Sequence, residues 1–149
     1  MPLQTAYVQY QPAGYPGMSA DMSEWDGDTK TATATIAFGA PVQRNGDSGC
    51  TPLTTGEYIG IAKAMHLVTG NGDSYAQYDN VPVVNEGKWF GLADAAIAVG
   101  AALNWNSATG RWTTAAVAGA IYAVPQAEAE TAASGAGALF KVRLRRIPA

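Results

Sequence analysis

Apolar and polar residues alternate most cleanly near the C-terminus. In ALFKVRLRR (138–146), Phe140, Val142 and Leu144 fall on one side and Lys141, Arg143 and Arg145 on the other. This is the period of a strand with one buried face. TATIAF (33–38) shows the same period and is bounded by Gly39 and Pro41. In EYIGIAKAMHLV (57–68), Ile59 and Ile61 alternate with Tyr58 and Gly60, which favours a strand over a helix. Asn71-Gly72-Asp73 then marks a turn. Residues 74–93 read as short strands broken at Asp79-Asn80 and at Asn85-Glu86-Gly87, with Pro82 pointing to a sheet edge or a strand start. LNWN and RWTT flank Ser107-Ala108-Thr109-Gly110 as a hairpin across which Trp105 and Trp112 pair. Residues 44–56 read as loop, and the Ala-rich span 116–138 carries a short helix near 126–133. Turn signals recur roughly every ten residues, as in an all-β sandwich or barrel.

Residues 1–30 follow a different pattern. Pro12, Gly14, Pro16 and Gly17 interrupt the segment too often for a helix. Tyr7, Tyr10, Tyr15, Met18, Met22 and Trp25 make it stickier than a solvated linker. An extended N-terminal arm (1–30) followed by a β domain (31–149) accounts for both features. Such an arm either folds back on its own domain or reaches a neighbouring molecule.

Composition narrows the function. The chain has 149 residues, one domain's worth, and 48% of them are hydrophobic. Alanine alone contributes 29, whereas Leu, Ile, Val and Phe together contribute 26, so the core is thin for the length. Net charge is only −3, which argues against disorder throughout and against general nucleic-acid binding. A thin core in a folded chain points to surface buried against partners. No apolar run is long enough to span a bilayer, and no export signal is expected. A single cysteine (Cys50) and a single histidine (His66) exclude a disulfide and a multi-Cys zinc site.

Candidate chemistry is sparse. Gly46-Asp47-Ser48-Gly49 matches the tetrapeptide around a serine-protease nucleophile, but His66 follows the serine where that arrangement needs it to precede. Cys50 has only Arg44 nearby in sequence to activate it. No EF-hand spacing appears among Asp21, Glu24, Asp26 and Asp28, so no metal or cofactor is expected. Lys141, Arg143, Arg145 and Arg146 form a basic end that complements this acidic cluster or another surface. Trp25, Trp89, Trp105 and Trp112 either stack sugars, as in a carbohydrate-binding module, or fill the core and anchor an interface.

Taken in order along the chain, several segments resemble one family. They are Ala13-Gly14-Tyr15-Pro16-Gly17-Met18-Ser19-Ala20-Asp21, Ile36 to Val42, Tyr58-Ile59-Gly60-Ile61-Ala62, Tyr78 to Val84 and Glu86-Gly87-Lys88-Trp89-Phe90. Val99-Gly100, the Asn106–Arg111 turn and Gly135-Gly137 leading into Leu139–Leu144 continue the series. Together they resemble the tailed-phage structural cement proteins, or capsid decoration proteins. The resemblance implies a small β-barrel or β-sandwich, jelly-roll-like or tulip-like, without catalytic residues. It implies synthesis in the host cytoplasm and a place on the outer capsid surface of the virion. The partners implied are the major capsid protein and other copies of the chain, a trimer ahead of a dimer, with no membrane and no direct nucleic-acid contact. Tyr7, Tyr10, Tyr15, Pro16, Met18, Met22 and Trp25 are the expected contact residues, with Lys141, Arg143, Arg145 and Arg146 as electrostatic contacts.

Overall fold

A computed structural model of the chain describes residues 14–65 and 72–145. Among these the strands are β1 (Gly27–Ala32), β2 (Ile36–Ala37), β3 (Pro41–Asn45), β4 (Gly49–Pro52), β5 (Tyr58–Ala62), β6 (Ser74–Tyr75), β7 (Asn80–Val84), β8 (Gly87–Leu92), β9 (Ala102–Asn106), β10 (Arg111–Thr113), β11 (Ile121–Ala129) and β12 (Leu139–Leu144). The fold is all-β. Strands β1-β4-β3-β5-β7 close into a small barrel, and β10-β9-β11-β12-β8 form a five-stranded sheet beside it. The barrel closes because β1 pairs with β4 in parallel (Thr31 opposite Gly49) and with β7 antiparallel (Gly27 opposite Val84).

One core runs through both layers. Ile36, Val42, Ile61, Val81 and Val84 fill the barrel side, and Trp89, Leu103, Trp112, Phe140 and Val142 fill the sheet side. The C-terminal alternation holds as read: Phe140, Val142 and Leu144 are buried on β12. The expected hairpin is β9–β10, with Trp105 opposite Trp112 and their rings edge to face at 5.3 Å. Large rings compensate for the scarcity of aliphatic side chains.

Four local expectations are corrected. Residues 126–133 are not helical: β11 runs through them to Ala129, burying Val124, Ala127 and Ala129. Ala and Glu alternate there with a strand period, and pairing with β9 and β12 outweighs alanine's helix preference. Residues 44–56 are not all loop: Gly46-Asp47-Ser48 is the turn of the β3–β4 hairpin, and β4 is an inner barrel strand. TATIAF is not one strand. Only Ile36 and Ala37 pair, with β6, while Thr33 is held through its amide and hydroxyl on the Cys50 carbonyl. Pro82 is at neither a sheet edge nor a strand start, because β7 lies between β1 and β5. Its carbonyl accepts the Lys63 amide, and its nitrogen faces the same side, where the β5 ladder stops at Ala62.

The described start of the chain lies across the molecule as a strap. The Gly17 amide donates to the Phe90 carbonyl, the Phe90 amide to Met18, and the Ala20 amide to Lys88, so residues 17–20 extend the sheet beyond β8. On its other side the strap reaches the barrel, where the Ala64 amide donates to Gly17. Gly17 (φ +79°) and Gly39 (φ +78°) cross there, and a Cβ on either would stand under 3 Å from the other's backbone nitrogen. Residues 27–30 belong to β1.

Candidate functional site

Past the strap the chain turns outward before entering β1. Asp21 accepts the Ser23 amide and lies 3.4 Å from the Lys88 ammonium. These hydrogen bonds and then the Lys88 charge hold its carboxyl down at about 2. Lys88 also reaches Glu130 at 3.2 Å, so it ties the strap to the end of β11. Between these two anchors Met22 is fully exposed. Trp25 stands edge-on to the buried Trp89 at 6.1 Å and takes the Lys63 ammonium over its ring at 4.3 Å, yet remains 48% exposed. The result is an apolar tip fixed at both ends.

Of the other expected contact residues, Met18 is half-buried in the strap ladder. Tyr15 and Pro16 line a groove of about 210 Å³ with Phe38, Trp105 and Trp112. Burial, then Asp73, pushes the Tyr15 hydroxyl up. Tyr7, Tyr10 and Arg146 lie outside the described residues. One exposed aromatic had no signal in the sequence. Tyr78 is 77% exposed at a left-handed φ of +74°, in a turn closed by Asp79 on the Ala76 amide. Val99 and Val117 are likewise exposed.

The barrel mouth holds a second polar cluster. Asp28, Lys30, Arg44 and Glu57 surround a cavity of about 250 Å³ that Tyr58 and Asn85 also line. Two polar atoms of these lining residues, the Tyr58 hydroxyl and Asn85 Oδ1, are closed off from solvent and have no hydrogen-bond partner among the described residues. Each such atom costs about 1–3 kcal/mol.

Residues 3–145 match the structural cement protein family (E217 gp24/Pam3 gp6). The chain belongs to that family. The cement protein is thus a structural component of a bacteriophage capsid, carried in the virion. Its fold also matches a chain described as the capsid of Myoviridae phage XM1, with TM-score 0.75 and 18% identity over 98% of this chain and 99% of that one. No curated protein matches it.

The remaining candidates sit accordingly. In the cement protein Trp89, Trp105 and Trp112 are 1%, 8% and 1% exposed, so they build the core and form no sugar platform. Ser48 is exposed in the β3–β4 turn. Cys50 is fully buried, and burial pushes its thiol up to about 11, away from a reactive thiolate. His66 lies outside the described residues. The basic strand finds its partners within the chain: Arg143 reaches Glu130 at 3.2 Å and Glu128 at 3.6 Å, and Arg145 reaches Glu128 at 2.7 Å. Of the acidic cluster, Asp21 joins this network through Lys88. Among the described residues no three His, Cys, Asp or Glu side chains gather to hold a metal, and no helix is long and apolar enough to cross a membrane.

Proposed function

We propose that this cement protein binds the outer surface of the assembled head and clamps adjacent major capsid subunits, without catalytic turnover and without contact to membrane or nucleic acid. The observation that carries this is the exposed Met22–Trp25 tip, held between the strap ladder and β1. A rigid apolar tip loses little conformational freedom on docking, so more of its burial free energy appears as affinity. Exposed apolar side chains so placed fit an apolar patch on a protein surface. Residues 1–13, with Tyr7 and Tyr10, add a second contact. Assembly of the free protein as a homo-oligomer, a trimer ahead of a dimer, multiplies these contacts through effective concentration.

The test uses shells that lack the protein. The double variant Met22→Ser/Trp25→Ala is expected to fold and to decorate them roughly tenfold or more weakly. Unchanged occupancy in a sedimentation assay overturns the assignment of the tip. Truncation of residues 1–13 leaves the strap on β8 and reads the contribution of that segment separately.

A further inference from the structure

The chain has a net charge of −3, yet between Arg111 and Glu128 it carries no charged side chain. Much of this stretch is exposed: residues 114–119 lie in solvent, Val117 at 55%. The loop is nevertheless pinned. Asn104 Nδ2 donates to the Ala115 carbonyl, the Ile121 amide to Ala118, and the Ser107 amide and hydroxyl to Ala120. β11 then turns Val124 inward and leaves Ala123 and Pro125 outside. These residues border a groove of about 480 Å³, lined by Val117, Tyr122, Ala123 and Pro125 and by Thr54 and Glu57 of the β4–β5 connection. Among the described residues lining it Glu57 alone is charged, and Arg44 holds it at 2.9 Å.

Exposed apolar surface that is contiguous and already ordered marks a place where another molecule sits. Its charge says which. Two copies of one chain bring the same charges to a shared face, so a charged face repels its own kind and a neutral one does not. Interfaces between identical chains are also the more apolar class. We infer that this groove and its Val117 lip are the face on which a second copy of the chain docks, the lip of one copy entering the groove of the next. Position supports the same occupant. Tyr58, at the start of β5, lines the groove, whereas Lys63, one residue past the end of β5, covers Trp25. About 17 Å of strand separates the two, so a second copy in the groove leaves the Met22–Trp25 tip free. The joint rests on the clamp reading for its purpose, not for its existence.

Sedimentation of the free chain at rising concentration reads the joint. The parent is expected to assemble, and its melting midpoint to climb with concentration. Val117→Asp and Ala123→Glu change exposed side chains, so each is expected to fold. Either buries an unpaired charge in the joint and is expected to weaken assembly roughly tenfold or more. Val99→Asp alters a likewise exposed valine that does not line the groove, and is expected to assemble like the parent. Hydrogen exchange on the parent needs no variant: the amides of Val117 and Ala123 are expected to slow as concentration rises. A monomeric parent, groove variants that assemble unchanged, or a Val99 variant that dissociates equally overturns the joint. A monomeric parent that loses shell binding through Val117→Asp gives the face to the capsid instead. A chain that assembles as expected yet decorates no shell keeps the joint and ends the clamp reading.

Discussion

At the scale of single residues, the structure depends on a few positions where backbone and side-chain geometry leave little choice. Gly17 and Gly39 cross at left-handed φ with their backbones in contact. Gly17→Ala is therefore expected to destabilise by about 1–3 kcal/mol, read by urea unfolding, and to speed hydrogen exchange at the Ala64 and Phe90 amides first. Trp112 is fully buried against Trp105, and Trp112→Ala is expected to cost about 3–5 kcal/mol. Tyr78 tests the opposite case. Its left-handed backbone suits asparagine better than tyrosine, and its ring is largely in solvent. Tyr78→Asn is expected to hold or raise stability by up to about 1 kcal/mol, checked by the melting midpoint. The tryptophan pair was legible because a hairpin turn fixes which residues face each other. The exposure of Tyr78 was not, since nothing in the sequence around it specifies a left-handed tyrosine.

At the scale of elements, legibility followed the strength of alternation. β12 and the β9–β10 hairpin have strong patterns and clear turns, and both appear where the sequence places them. β4 reads Gly-Cys-Thr-Pro, with no alternation, and becomes a strand only because β1 and β3 flank it. β11 misled because alanine and glutamate are good helix formers, while the burial that decides for strand lies in partners distant in sequence. The strap makes its own prediction. Asp21 has its acidity strengthened in the folded chain, from the ordinary 3.8 to about 2. Its contribution is therefore present in full above the ordinary value and fades as pH falls from about 4 toward 2. Acidification is expected to raise hydrogen exchange at Ser23 and Ala20 before the sheet responds, and Asp21→Asn to remove this pH dependence.

At the scale of the whole molecule, the all-β class, the family and the virion role were legible, the last two through ordered segments spread over nearly the entire chain. The choice between barrel and sandwich was not. It depends on the parallel pairing of β1 with β4, a non-local contact that no local pattern announces. Nor was the fate of the arm: apolar residues in an extended segment fit contact with the chain's own sheet as well as with a neighbour. The structure divides that segment, with residues 17–20 on β8 and Met22 and Trp25 turned outward. Of the basic end, which suggested an external partner, Arg143 and Arg145 pair within the chain with Glu128 and Glu130. Arg143→Ala is accordingly expected to weaken shell binding less than loss of the Met22–Trp25 tip, by the same sedimentation assay.

The strap also imposes an order on biosynthesis. Gly17 and Met18 leave the ribosome early, but their seat on Phe90 exists only after the barrel strands have been made. Until then residues 17–20 have no ladder partner in their own chain, and once β8 is made its edge accepts any strap that reaches it. In a host cell crowded with nascent copies, the concentration of each chain's own tether has to outcompete the concentration of its siblings, and speed of synthesis becomes a determinant of yield.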